Sequence, residues 1–202
     1  MKPDTAFQPC FDPNTDVQPL TYIPQFNLWR DTEPGFDANF AAEPEHDWYP
    51  LETGAEVWLV AAEDMQPAFY VEYQGQYIRV TGDRIPLGTA ALHRHVRWTV
   101  DGGDPLFDPL RTVWWGVFLL EDRGGTGYTP SAPFTVKFAI AECEAGDVDG
   151  NGVVDFNDIN PFVRVLTDPA AATLLERCAA DANRDGYVNF RDINAFVGLL
   201  TS

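Results

Sequence analysis

The sequence predicts a mainly β protein, an antiparallel β-sandwich with an extended N-terminal arm, followed by a small all-α module. Three observations carry this expectation. Short runs rich in Val, Tyr, Trp and Phe alternate in polarity through the middle of the chain. Glycine-containing turns separate them. Near the C-terminus one loop-plus-helix pattern occurs twice, at Asp147 and again at Asp181. Three segments follow: an arm over 1–45, the β-sandwich over 46–141 and the module over 142–202.

The arm is rich in proline, as in "PLTYIPQFNLWR", and has aromatics without a helical period. It can lie on its own sandwich. It can also leave to pair with a neighbour's sheet edge, which would build filaments, with Cys10 available to cross-link subunits.

In the middle segment "EVWLVAA", "FYVEYQGQYIRV", "RHVRWTV", "RTVWWGVFLL" and "FTVKFAI" read as strands. Turns are expected at Gln74-Gly75, Thr81-Gly82-Asp83, Asp101-Gly102-Gly103-Asp104 and Arg123-Gly124-Gly125. Strand alternation places one of Trp114 and Trp115 outward without saying which. His93 and His95, two apart on one expected strand, share a face, with Val96, Trp98 and Val100 on the buried one. With His46, which sits beside Glu43, Glu45 and Asp47, they are the candidate ligands of a zinc or copper ion; the alternative is a polar solvent face continued by Arg97. The segment is loosely similar to secreted bacterial β-sandwich domains with a His-x-His strand and a final strand patterned like Tyr128, Ser131, Pro133, Phe134, Thr135 and Phe138.

In the C-terminal segment, oxygen-bearing side chains occupy loop positions 1, 3, 5, 9 and 12 in both copies. They are Asp147, Asp149, Asn151, Asp155 and Asp158, then Asp181, Asn183, Asp185, Asn189 and Asp192. Position 6 is Gly152 or Gly186, and position 7, which needs only its carbonyl, is Val153 or Tyr187. A calcium ion takes six to eight oxygens at about 2.3–2.6 Å, and a tight loop with a glycine turn aims alternate side chains at one point. Each loop leads into a helical pattern, Phe156, Ile159, Phe162, Val163 and Leu166 in one copy and Phe190, Ile193, Phe196, Val197 and Leu200 in the other. Between the copies, Asp168-Pro169 reads as an N-cap with proline at the first helical position, starting a helix that runs to about Ala179.

This duplicated unit resembles a type I dockerin, the paired EF-hand-like calcium module found at the ends of secreted bacterial proteins, often planctomycete-like. The resemblance covers about Gly146 to Leu200. It implies two calcium ions held by the residues named, a cohesin-like protein partner and an extracellular or cell-surface address. Dockerins that bind cohesins usually carry small hydroxyl residues at loop positions 10 and 11, where this chain has Phe156-Asn157 and Phe190-Arg191. The three cysteines permit three pairings. Cys143 and Cys178 lie just ahead of the two loops, and a disulfide between them is expected in an oxidising compartment.

Composition narrows the partners. The formal charge is −18, from 13 basic and 31 acidic residues, so nucleic acid and anionic lipid are repelled and divalent cations attracted. No stretch of about 18 apolar residues offers a membrane span. The N-terminal stretch lacks the apolar core of a signal peptide, which fits a mature or trimmed chain. Neither serine, Ser131 or Ser202, lies in a nucleophile motif, and no His-Glu-x-x-His occurs. The expectation is a non-catalytic assembly protein contacting other copies of itself or a cohesin-like domain. The alternatives are a dockerin-tagged carbohydrate-binding module and a histidine-site metalloprotein.

Overall fold

A computed structural model describes residues 17–38, 42 and 49–201 of the chain. Among the described residues, twelve strands precede three α-helices. The strands are β1 (Val17–Pro19), β2 (Thr21–Ile23), β3 (Leu28–Asp31), β4 (Phe36–Asp37), β5 (Glu56–Ala61), β6 (Phe69–Tyr73), β7 (Gln76–Ile78), β8 (Arg84–Thr89), β9 (His93–Arg94), β10 (Arg97–Asp101), β11 (Val113–Asp122) and β12 (Phe134–Ala139). The helices are α1 (Ile159–Thr167), α2 (Leu174–Ala180) and α3 (Asp192–Leu199).

One five-stranded sheet runs β1-β12-β11-β5-β8 and a second runs β2-β3-β10-β6-β7, with β4 and β9 forming a separate pair. Pairing is antiparallel except between β1 and β12. Both sheets feed one core. Trp98 on β10 packs its ring 5.5 Å from Phe118 on β11 and 5.0 Å from Phe138 on β12. Each fully buried ring of this kind contributes about 1.5–3 kcal/mol by leaving water. Along β11 the alternation resolves the tryptophan pair: Trp114 is buried, while Trp115 faces outward beneath the Arg111 guanidinium, 4.8 Å from its ring.

The β6–β7 hairpin turns at Gln74 and Gly75, both with positive φ, as a two-residue turn between twisted strands requires. Strand β8, which contains Pro86 and Gly88, was not among the runs read as strands. It sits at a sheet edge, where a missing N–H is tolerated, and its pairing with β5 shifts register between Val57 and Trp58.

Two expectations are corrected. Residues 17–31, placed in a separate arm over 1–45, supply β1 to one sheet and β2–β3 to the other, crossing between them at buried Leu20, whose N–H bonds Ala139 O at 2.8 Å. Strands β1 and β2 are edge strands, each with one side already paired within the chain, β1 to β12 and β2 to β3. Second, His93 and His95 do not share one strand with Trp98. The chain pairs β9 with β4, is unpaired as a strand at His95 and Val96, and then enters the second sheet at Arg97. Val96, Trp98 and Val100 are buried, and so is Thr99, whose hydroxyl accepts from Arg30 Nε at 2.9 Å.

The helical module has its own small core, centred on Phe162 of α1 and Phe196 of α3, whose rings stack 4.0 Å apart. The middle helix starts later than expected. Asp168 caps only a short 3-10 turn over Pro169–Ala171, and α2 begins after Thr173, which forms a reciprocal capping box with Glu176.

Candidate calcium site

The two loops build the same scaffold from the same positions. In the first, Asp147 accepts the N–H groups of Asn151 (3.0 Å) and Gly152 (2.9 Å), and Asp158 accepts those of Asp149 (3.0 Å) and Asp155 (2.9 Å). In the second, Asp181 accepts those of Asp185 (3.1 Å) and Gly186 (3.0 Å), and Asp192 those of Asn183 (3.1 Å) and Asn189 (2.8 Å). Positions 1 and 12 are thus tied to the loop backbone, and Asp158 and Asp192 are fully buried. Gly152 and Gly186 both take positive φ at the turn.

The donor set fits a hard divalent cation. One carboxylate oxygen from each of Asp147, Asp149 and Asp158 lies within 4.8 Å of the others. Such anions repel unless a cation lies among them. The second loop carries fewer carboxylates, with amides at positions 3 and 9, but is buried more deeply. Burial pushes the Asp181 carboxyl up, against the hydrogen bonds from Thr112 and Gly186. Burial also pushes Asp192 up to about 6, against backbone bonds from Asn189 and Asn183. Asn189 turns its amide nitrogen to the Tyr187 carbonyl at 3.0 Å, so positions 7 and 9 meet at one edge of the loop.

The second loop is seated on the β region, which the sequence did not reveal. The Thr112 hydroxyl donates to Asp181 Oδ2, and the Thr112 N–H donates to Gly186 O at 2.9 Å. Tyr187 Oη donates to Asp108 at 3.0 Å, Arg177 reaches Pro109 O at 3.1 Å, and Arg111 lies 5.1 Å from the Tyr187 ring. A Cβ on Gly186 would meet Val113 O at 2.8 Å, so this glycine permits both the loop turn and the close approach of β11. Nothing in "DPLRTV" signals these roles, because Thr112 and Asp181 meet only through the fold.

Cys143 and Cys178 are joined by a disulfide, with Cα atoms 6.0 Å apart across 35 residues. Arg184, at position 4 of the second loop, donates to the carbonyls of Cys143 (3.0 Å) and Cys178 (3.1 Å). Bridge and loop are therefore one mechanical unit.

The helices carry a second apolar face besides the one in their core. Phe156, Ile159 and Val163 point to solvent, and so do their repeat counterparts Phe190, Ile193 and Val197. Phe156 is 75% exposed and Phe190 79%. The repeat pattern suggested one continuous apolar stripe in each copy; the helices instead divide it between a buried and an exposed side.

Of the candidate transition-metal ligands, His93 and His95 lie together, with their Nε2 atoms 3.1 Å apart. His46 lies outside the described residues, as do Glu43, Glu45, Asp47 and Cys10. No helix among the described residues is long and apolar enough to cross a membrane.

No curated protein and no solved structure matches the chain. Residues 145–196, roughly a quarter of it, match the family model of the dockerin type I domain. The C-terminal module is therefore a dockerin-like module of type I, a kind of domain that binds calcium and docks on a protein partner.

Proposed function

We propose that this chain is a non-catalytic extracellular protein that docks on a separate cohesin-like partner through its C-terminal module, with its two five-stranded sheets forming a β-sandwich that serves as a rigid head. One calcium ion is held by Asp147, Asp149, Asn151, Asp155, Asp158 and the Val153 carbonyl. A second is held by Asp181, Asn183, Asp185, Asn189, Asp192 and the Tyr187 carbonyl. The cations neutralise clustered carboxylates, and so fix the angle at which α1 and α3 leave their loops.

The observation that carries this reading is a repeat-related pair of exposed apolar groups, Phe156 just ahead of α1 with Ile159 and Val163 on it, and Phe190 just ahead of α3 with Ile193 and Val197 on it. Exposed rings beside other exposed apolar side chains mark an interaction surface. Phe156-Asn157 and Phe190-Arg191 replace small hydroxyl residues at loop positions 10 and 11, so the partner offers apolar recesses rather than hydroxyl-binding groups. The expectation also included self-assembly into filaments through the arm, but β1 and β2 already pair on one side within their own sheets, which favours docking on a separate partner. The glycan-binding alternative finds no support in Trp114, which is buried, or in Trp115, which is capped by Arg111.

The test is binding of the intact chain to immobilised cohesin domains, in calcium and in chelator. Binding that needs calcium, and that weakens at least tenfold in Phe156→Ala/Phe190→Ala, supports the reading. Sedimentation in calcium as large species, with no cohesin binding, replaces it with self-assembly.

A further inference from the structure

We propose that His93 and His95 form a divalent transition-metal site, for copper(II) or zinc(II), on the β region and independent of the calcium loops. The inference rests on the commitments of four ring nitrogens. His93 Nδ1 faces Asp37 Oδ1 at 2.5 Å, and His95 Nδ1 faces Glu33 Oε1 at 3.0 Å. In the tautomer whose Nδ1–H donates to the facing carboxylate, the lone pair of each ring lies on Nε2. Those two atoms face each other 3.1 Å apart, and two lone pairs at that distance repel unless a positive species lies with them.

A shared metal ion satisfies the arrangement. Two imidazole ligands at about 2.0–2.1 Å from one ion have nitrogens about 2.9 Å apart at a right angle and about 3.3 Å at the tetrahedral angle. The observed separation lies between these limits. A carboxylate on the far nitrogen of each ligating imidazole is the usual support of such a site, because it sets ring orientation and raises basicity.

The supports are themselves anchored. Asp37 and His93 are register partners across the β4–β9 pair. Glu33 Oε2 accepts the Gly35 N–H at 2.9 Å, and Pro34 O accepts from Nε1 of core Trp98 at 3.0 Å. Gly35 has no side chain where a Cβ would come within 2.9 Å of the His95 ring. The His93 side chain is 66% exposed, so water can complete the coordination shell.

The experiment uses the intact, untagged chain with calcium in excess, so that the acidic loops are filled. It is dialysed against zinc or copper(II), and bound metal is counted by mass spectrometry. The expected result is one retained equivalent, lost in both His93→Ala and His95→Ala, and held about 10–100-fold more weakly in Asp37→Asn and Glu33→Gln. With copper(II), electron paramagnetic resonance should show coupling to two imidazole nitrogens. Thermal unfolding in calcium checks that each variant is folded. No retained metal, or retention unchanged in the histidine variants, overturns the proposal; the pair would then share a proton, visible in the nitrogen shifts of the two rings.

Discussion

The hydroxyl of Thr112, at the threshold of β11, donates a hydrogen bond to Oδ2 of Asp181, the first residue of the second loop. Thr112 is buried, and so is Asp181. The second loop is thus completed from outside its own repeat, whereas no described residue of the β region hydrogen-bonds the corresponding Asp147. The two loops are alike in sequence and unlike in setting.

Thr112→Val keeps the shape and the backbone bond to Gly186 but removes the hydroxyl. It should cost about 1–3 kcal/mol, as expected when a buried carboxylate loses a partner. Calorimetric unfolding in saturating calcium reads this directly. The same change should weaken calcium binding at the second loop and leave the first unaltered. Equal weakening at both would show that the contact does not act locally.

Removing the position-12 carboxylates tests the ion count. Isothermal titration of the chelator-stripped chain should give two equivalents of calcium. Asp158→Ala and Asp192→Ala should each give one, and the double variant none. A stoichiometry of one in the unsubstituted chain would leave calcium in a single loop.

The Cys143–Cys178 bridge closes a segment that contains the first acidic loop, α1 and α2 as far as Cys178. Cys143→Ser/Cys178→Ser should lower stability by about 2–4 kcal/mol, more visibly in chelator than in calcium. Unfolding with denaturant under both conditions measures the difference. An unchanged midpoint in chelator would mean that the bridge constrains nothing the core does not already hold.

Two acids set opposite pH trends. Asp192 is raised to about 6 by burial, so its contribution is present below its unfolded value of 3.8 and lost as pH rises through about 6. The calcium-free module should therefore be more stable at pH 5 than at pH 7, and calcium should stabilise it more at pH 7. Asp122 behaves in the opposite sense. Burial raises its carboxyl, but bonds from the Thr126 hydroxyl and from the N–H groups of Glu56, Gly124 and Thr126 prevail and hold it at about 2. Its contribution is present above 3.8 and lost as pH falls towards 2. Thermal melts from pH 2 to 7 in chelator, followed by signals from each region, should separate the two trends.

The dockerin-like repeat was legible because the expected ligands of each loop fall within twelve consecutive residues and the pattern occurs twice. Most strands were legible through alternation, as in β5, β6, β11 and β12. Strand β8 was not, since Pro86 and Gly88 are tolerated only because an edge position leaves one side unpaired. The start of α2 was displaced because Thr173 and Glu176 cap each other more completely than Asp168 and Pro169 can. The sequence by itself determined the dockerin-like repeat and the mainly β character of the rest. Only the tertiary structure decided which tryptophan is buried, where residues 17–31 belong, that Thr112 completes Asp181, and that Glu33 and Asp37 stand behind His95 and His93. Each of those contacts joins positions far apart in the chain, and no local periodicity records them.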